Sequence, residues 1–149
     1  MQNTTYFAQT LAVYKSYHQD TVNLYIHYIC IPMIYATASA ILSTIPTSSK
    51  FDYSFSLLIF YQSLYFLFAP TYFIGISLVI YMYFLRLVGL KIRFIQRHKY
   101  MIHVGCWVLQ FIGHSSLFEN RRPALIDNLV DSLLWAPAMV FVDFLKGVM

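Results

Sequence analysis

The stretch WVLQFIGHSSLFENRRPALIDN (107–128) carries the densest chemistry in the chain. His114, Glu119, Arg121 and Arg122 fall within nine residues at the end of a strongly apolar run, and Glu119 is the only glutamate. Ionisable groups at membrane depth are costly, so their presence there marks a role or a partner. Imidazole and carboxylate can hold a metal ion, while guanidinium forks suit a carboxylate or phosphate. The mouth of this helix is therefore expected to bind a metal, an anion or both.

A second pair, His18 and His27, lies nine residues apart. On one continuous helix that is about 900°, which points the rings to opposite sides. Between them Asp20 or Thr21 suits a helix N-cap. A bend there turns His18, on an amphipathic lead-in helix, back towards His27. The competing reading is a pair of interfacial histidines bonded to backbone or headgroups. Gln110 and His114 share a helix face, so Gln110 can fix the tautomer of His114 from behind. Gly113 leaves room for another helix. Glu119 is about 140° round from His114 on a regular helix, and both reach one ion only if the helix frays near Ser115. Taken alone, Glu119 pairs with Arg121 or Arg122, and either arginine can equally reach lipid phosphate. Pro123 suits the first turn of the next helix, where Asp127 and Asp131 complement the dipole and share a face.

The elements that position these residues must be membrane elements. Of 149 residues, 59% are hydrophobic and 11% charged, against about 25% charged in soluble domains. One small core cannot hide that excess, because a domain of this size leaves about 30% of its unfolded surface exposed. We expect an all-α, multi-span helical membrane bundle of about four to five membrane-embedded helices, built as one integral-membrane domain over residues 1–149. The first twenty residues lack the basic and apolar regions of a secretory signal, so insertion is expected to rest on the internal apolar segments. These are 24–45, 55–69, 71–85, 101–118 and 129–148, the last interrupted by Pro137 and Asp143.

Pro70 decides the topology. It is either a turn between two short helices or a kink in one long one. The turn is preferred, because an unbroken 55–85 helix would be about 46 Å long. Four crossings then bring His18, His27, His114 and Glu119 to one face and put His98 and His103 on the other. Arg86, Lys91, Arg93, Arg97 and Lys99 read as a basic loop, cytosolic by the positive-inside rule and in touch with anionic headgroups. Cys30 and Cys106 read as small buried hydrophobes.

Other signatures fail. The chain has no GxSxG elbow, P-loop or GxGxxG, and no two histidines stand three or four apart as in membrane di-iron boxes. Nothing points to nucleic acid.

The segments YKSYH (14–18), IHYICIP (26–32), WVLQFIGH (107–114) and FENRRPALIDNLVDSLLWAP (118–137) resemble the small membrane proteins typified by the fungal 2-hydroxy fatty acid dioxygenase of phytosphingosine degradation. The resemblance spans about residues 14–144, strongest at both ends, and is merely one of hydropathy over 43–100. It implies an Fe(II)-dependent oxygenase that shortens a 2-hydroxy fatty acid by one carbon with O2, in the endoplasmic reticulum of eukaryotes. Its histidine motifs match His18, His27 and His114. The family pattern G-H-x-x-F-E departs here to GHSSLFE (113–119), one residue longer, which rotates Glu119 by about 100° unless a π-bulge absorbs it.

The expected site is thus His18, His27 and His114 on Fe(II), Glu119 or Asp127 completing the shell, Gln110 behind, and Arg121 or Arg122 on the substrate carboxylate. The alkyl chain would lie between helices or in lipid. The alternative is a non-enzymatic lipid-binding or scaffold protein with interfacial histidines. Chain length preference and oligomeric state are not legible.

Overall fold

A computed structural model of the protein describes residues 2–115, 118 and 129–148. Among these, regular structure is helical throughout, in six helices: α1 (Gln2–Ser16), α2 (Thr21–Leu42), α3 (Tyr53–Phe68), α4 (Tyr72–Lys91), α5 (Arg93–Gly113) and α6 (Leu129–Val148). Pro70 is a turn, as its chemistry predicts. Proline forces the preceding Ala69 into extended backbone (φ −60°, ψ 139°), so α3 stops. Thr71 then caps α4, its hydroxyl accepting from Ile74 N at 3.3 Å. The bend expected near residue 20 is also present. Asp20 is the N-cap of α2 and accepts from Asn23 N at 2.9 Å.

α2 is the central helix, packed chiefly by α5 and α4 and also by α3 and α6. Its small residues make this possible: Ala36, Thr37, Ser39 and Ala40 are all fully buried. At Gly89 of α4 a Cβ would run into the Ala36 carbonyl, its carbon only 2.8 Å away. Tyr35, Leu58, Tyr65, Leu78, Met82, Trp135 and Met139 fill the core around this crossing. Two helices, α2 and α4, are long and apolar enough to cross a membrane; α3 and the Ser132–Leu145 part of α6 are shorter apolar helices.

Two expectations need correction. Residues 86–99 are not a loop: α4 continues to Lys91 and α5 starts at Arg93, with only the extended Ile92 between them. The buried Ile95 anchors this turn of helix, and Lys91, Arg93 and Arg97 are exposed around it, on helices rather than on a connection. Arg86 is not free of acids either. It bonds Ser54 Oγ at 3.0 Å and pairs with Asp52 at 3.3 Å.

Secondly, α5 begins eight residues before Met101 and kinks at His98 (φ −112°, ψ 15°), which puts His103 within the helix beyond the kink and not at its end. Pro137 and Asp143 interrupt the apolar run of the last segment but leave α6 continuous. Pro137 has no N–H for the Leu133 carbonyl, and the Tyr61 hydroxyl donates to that carbonyl at 2.9 Å instead. One residue on, the Tyr65 hydroxyl donates to Leu134 O at 2.8 Å and meets the backbone of Ala138. Asp143 is buried but paired with Lys15 Nζ at 3.0 Å, and it accepts from the Tyr28 hydroxyl at 2.7 Å.

Candidate metal centre

Three imidazoles converge where α1, α2 and α5 meet. His18 follows α1, His27 lies in the second turn of α2, and His114 is the C-cap of α5. One potential ligand atom from each lies within 4.8 Å of the others. Ring centroids stand 4.1 Å apart for His18 and His27, 5.1 Å for His18 and His114, and 5.0 Å for His27 and His114.

Local helix geometry sets two of these rings. His18 Nδ1 donates to the Tyr14 carbonyl at 2.7 Å, and His27 Nδ1 to the Asn23 carbonyl at 2.9 Å. Both partners lie four residues earlier, one helical turn away. A carbonyl only accepts, so each of these rings carries a proton on Nδ1 and turns its Nε2 away from the helix backbone. The Tyr14 ring also stacks on His18, with centroids 4.1 Å apart and an interplanar angle of 22°.

Burial pushes the His18 imidazole down to about 4, with the Tyr14 carbonyl working against the drop and His114 adding to it. The ring is therefore neutral at physiological pH. Its Nε2 is buried with no hydrogen-bond partner. A buried imine nitrogen left without a donor is costly, and an ion held among the three rings would satisfy it. Three imidazole nitrogens suit zinc, iron or copper.

A cavity of about 550 Å³ runs from these histidines between the helices. It is bordered by positions 6–17 of the α1 side, 27–38 of α2 and 103–114 of the α5 side, with α3 and α6 closing it. Each stretch covers about 16 Å at 1.5 Å per residue. The lining is mainly apolar and aromatic, including Val13, Ile31, Ile34, Leu57, Trp135 and Met139. His103 belongs to this wall, yet offers it no polar atom that is unused. Trp107 Nε1 donates to its Nε2 at 3.2 Å and its Nδ1 meets the Thr37 hydroxyl at 2.9 Å.

The structure brings together His18, His27 and His114, and puts Gln110 on the same cavity wall. The Gln110 side chain makes no hydrogen bond to His114 among the described residues; it is the Gln110 backbone carbonyl that accepts, from His114 N at 3.2 Å. Glu119, Arg121, Arg122 and Asp127 lie outside the described residues. Cys30 and Cys106 are buried free thiols that meet across α2 and α5. Sequence reasoning missed Tyr14 and Asn23. Each stands four residues before a candidate ligand, and that spacing was the available signal.

The chain matches the family model described as "2-hydroxy-palmitic acid dioxygenase Mpo1-like" over residues 4–148. It is similar to the 2-hydroxy-palmitic acid dioxygenase MPO1 of Saccharomyces cerevisiae, 32% identical over 136 residues, which cover 91% of this chain and 77% of the relative. No solved structure matches it. With three histidines gathered at the head of an apolar cavity and a family match along almost its whole length, the chain belongs to the Mpo1-like family.

Proposed function

We propose that this protein is a membrane-embedded, Fe(II)-dependent dioxygenase that shortens 2-hydroxy fatty acids by one carbon. The observation that carries the reading is the junction of a three-histidine cluster with an apolar cavity about 16 Å long. It fits a substrate with a chelating polar head and a long hydrocarbon tail. When bound, Fe(II) would supply the activation of O2. Loss of the carboxyl carbon as CO2 and formation of one water balance the consumption of one O2.

The residues of the chain do the rest. His18, His27 and His114 hold the ion as neutral donors, with the Tyr14 and Asn23 carbonyls fixing two of the rings. Glu119 or Asp127 completes the ligand set, and Arg121 or Arg122 neutralises the substrate carboxylate. The 2-hydroxyl and carboxylate face the histidines, which favours a 2-hydroxy acid over a plain one. The alkyl chain runs along α2, past a His103 whose two nitrogens are already engaged. That wall therefore presents carbon to the hydrocarbon and excludes water from the cluster.

A bundle with about four to five membrane-embedded helices, in the endoplasmic reticulum membrane of a eukaryote, is part of this reading. The outward-facing side chains of α3 and α4 support it. Leu67, Tyr72, Phe73 and Ile80 are 65%, 81%, 77% and 63% exposed, and such an apolar surface suits lipid.

The test is anaerobic purification in detergent with metal analysis, followed by Fe(II), O2 and 2-hydroxypalmitate. An acid one carbon shorter supports the reading. Bound metal without turnover points to another substrate. Protein that takes up no metal favours a lipid-binding role for the cavity.

A further inference from the structure

Asn23 is the most enclosed polar residue at the centre, with no exposed surface. It touches the surroundings of all three histidines. Its backbone carbonyl accepts from His27. Its side-chain amide donates to the Tyr17 carbonyl at 3.5 Å, next to His18. Its Oδ1 lies against Gly113, next to His114. A Cβ at Gly113 would overlap that oxygen and stand 3.2 Å from Asn23 Cγ and 3.4 Å from Ile26 Cδ1. α5 can come this close to α2 only because residue 113 has no side chain.

We propose that Asn23 and Gly113 are a positioning pair whose contact sets the separation of His27 from His114, and with it the metal affinity of the site. The inference rests on the metal reading above. The physical argument is rigidity: His27 is tied to Asn23 through one turn of α2, and His114 follows Gly113 directly. A change in the contact therefore moves one imidazole relative to the other, and neither can recover the spacing by rotamer change alone while its ring is buried. Residues behind metal ligands typically alter affinity by about 10–100-fold.

The test is a double-mutant cycle on the full chain in detergent, read by Co(II) titration and by the intensity of the bound Co(II) visible bands, without any turnover assay. Gly113→Ala forces the helices apart, and Asn23→Ala leaves a gap. Each is expected to weaken Co(II) binding by about tenfold or more. In the double variant the new methyl occupies the volume vacated by Oδ1, so affinity should return to within about threefold of the original protein. The bond to Tyr17 is not restored there, so the rescue isolates the spacing.

Tyr65→Phe, which loosens α3 against α6 away from the histidines, should lower thermal stability and leave Co(II) affinity unchanged. Should Asn23→Ala not fold, Asn23→Ser vacates the same Oδ1 volume and takes its place. Single variants that bind like the original protein, or a double variant that merely sums two losses, overturn the pair while leaving the metal reading intact. An original protein that binds no Co(II) overturns the metal reading and the pair together.

Discussion

The Tyr65 hydroxyl donates to the Leu134 carbonyl at 2.8 Å, inside the stretch of α6 that Pro137 disturbs. Tyr65 is only 1% exposed, so the bond is made out of reach of bulk water. Removing the hydroxyl leaves a buried acceptor unmet, at a cost of about 1–3 kcal/mol. Tyr65→Phe should therefore lower the unfolding midpoint in detergent. An unchanged midpoint would show that α6 does not need this bond to continue through the proline.

The histidines should separate into two classes. Substituting His18, His27 or His114 by alanine should each abolish near-stoichiometric iron and lower turnover by at least about 100-fold, in line with losses at groups acting directly in the chemistry. His103→Ala should keep the iron, because both His103 nitrogens are engaged by Thr37 and Trp107. Metal analysis of the four purified variants decides it. Retention of iron by all three cluster variants would end the metal assignment.

Asp52 should contribute to the acid limb of stability, below the range where the buried His18 already does. Burial works against its ionised form, but bonds from Ser54 at 2.6 Å and Phe55 N at 2.8 Å, with Arg86 alongside, hold its carboxyl below the usual 3.8. A carboxyl depressed in the folded state contributes stability above its unfolded value and loses it as pH falls further. The unfolding midpoint should thus fall below about pH 4, and Asp52→Asn should flatten that limb. An identical acid limb in the variant would move the effect elsewhere.

Metal and stability should be linked. A ligand present at about 100 times its Kd and binding only the folded chain adds about 2.7 kcal/mol. Fe(II) under anaerobic conditions should raise the unfolding midpoint, a chelator should reverse the rise, and His27→Ala should show neither effect. A rise that persists in His27→Ala would place the ion at another site.

Much of this was legible in the sequence because it rests on local rules. Pro70 favoured a turn over a kink, Asp20 or Thr21 suited a helix start, and Gly113 marked a close approach; each depends on a few neighbouring residues. The convergence of His18, His27 and His114 was expected from the order of the helices and from the family motifs, and the three rings do meet. What the sequence hid depends on distant partners. The charge run around Arg86 looked unopposed because Asp52 lies 34 residues earlier. Pro137 and Asp143 looked like interruptions because Tyr61, Tyr65, Tyr28 and Lys15, which satisfy them, come from α1, α2 and α3. Similarly, His103 seemed remote until Thr37 and Trp107 showed it as part of the cavity wall.

The two carbonyls one turn before His18 and His27 have a consequence for the order of assembly. Those rings are aimed by bonds within α1 and at the start of α2, and a short nascent hairpin already contains every atom involved. His114 arrives on a helix made much later, and takes its place only when Gly113 slides in against Asn23. A chain stalled or misfolded before that docking carries two donors and not three. All three imidazoles come together only after the second and fifth helices have docked, so on the metal reading ion uptake reports the completion of that contact.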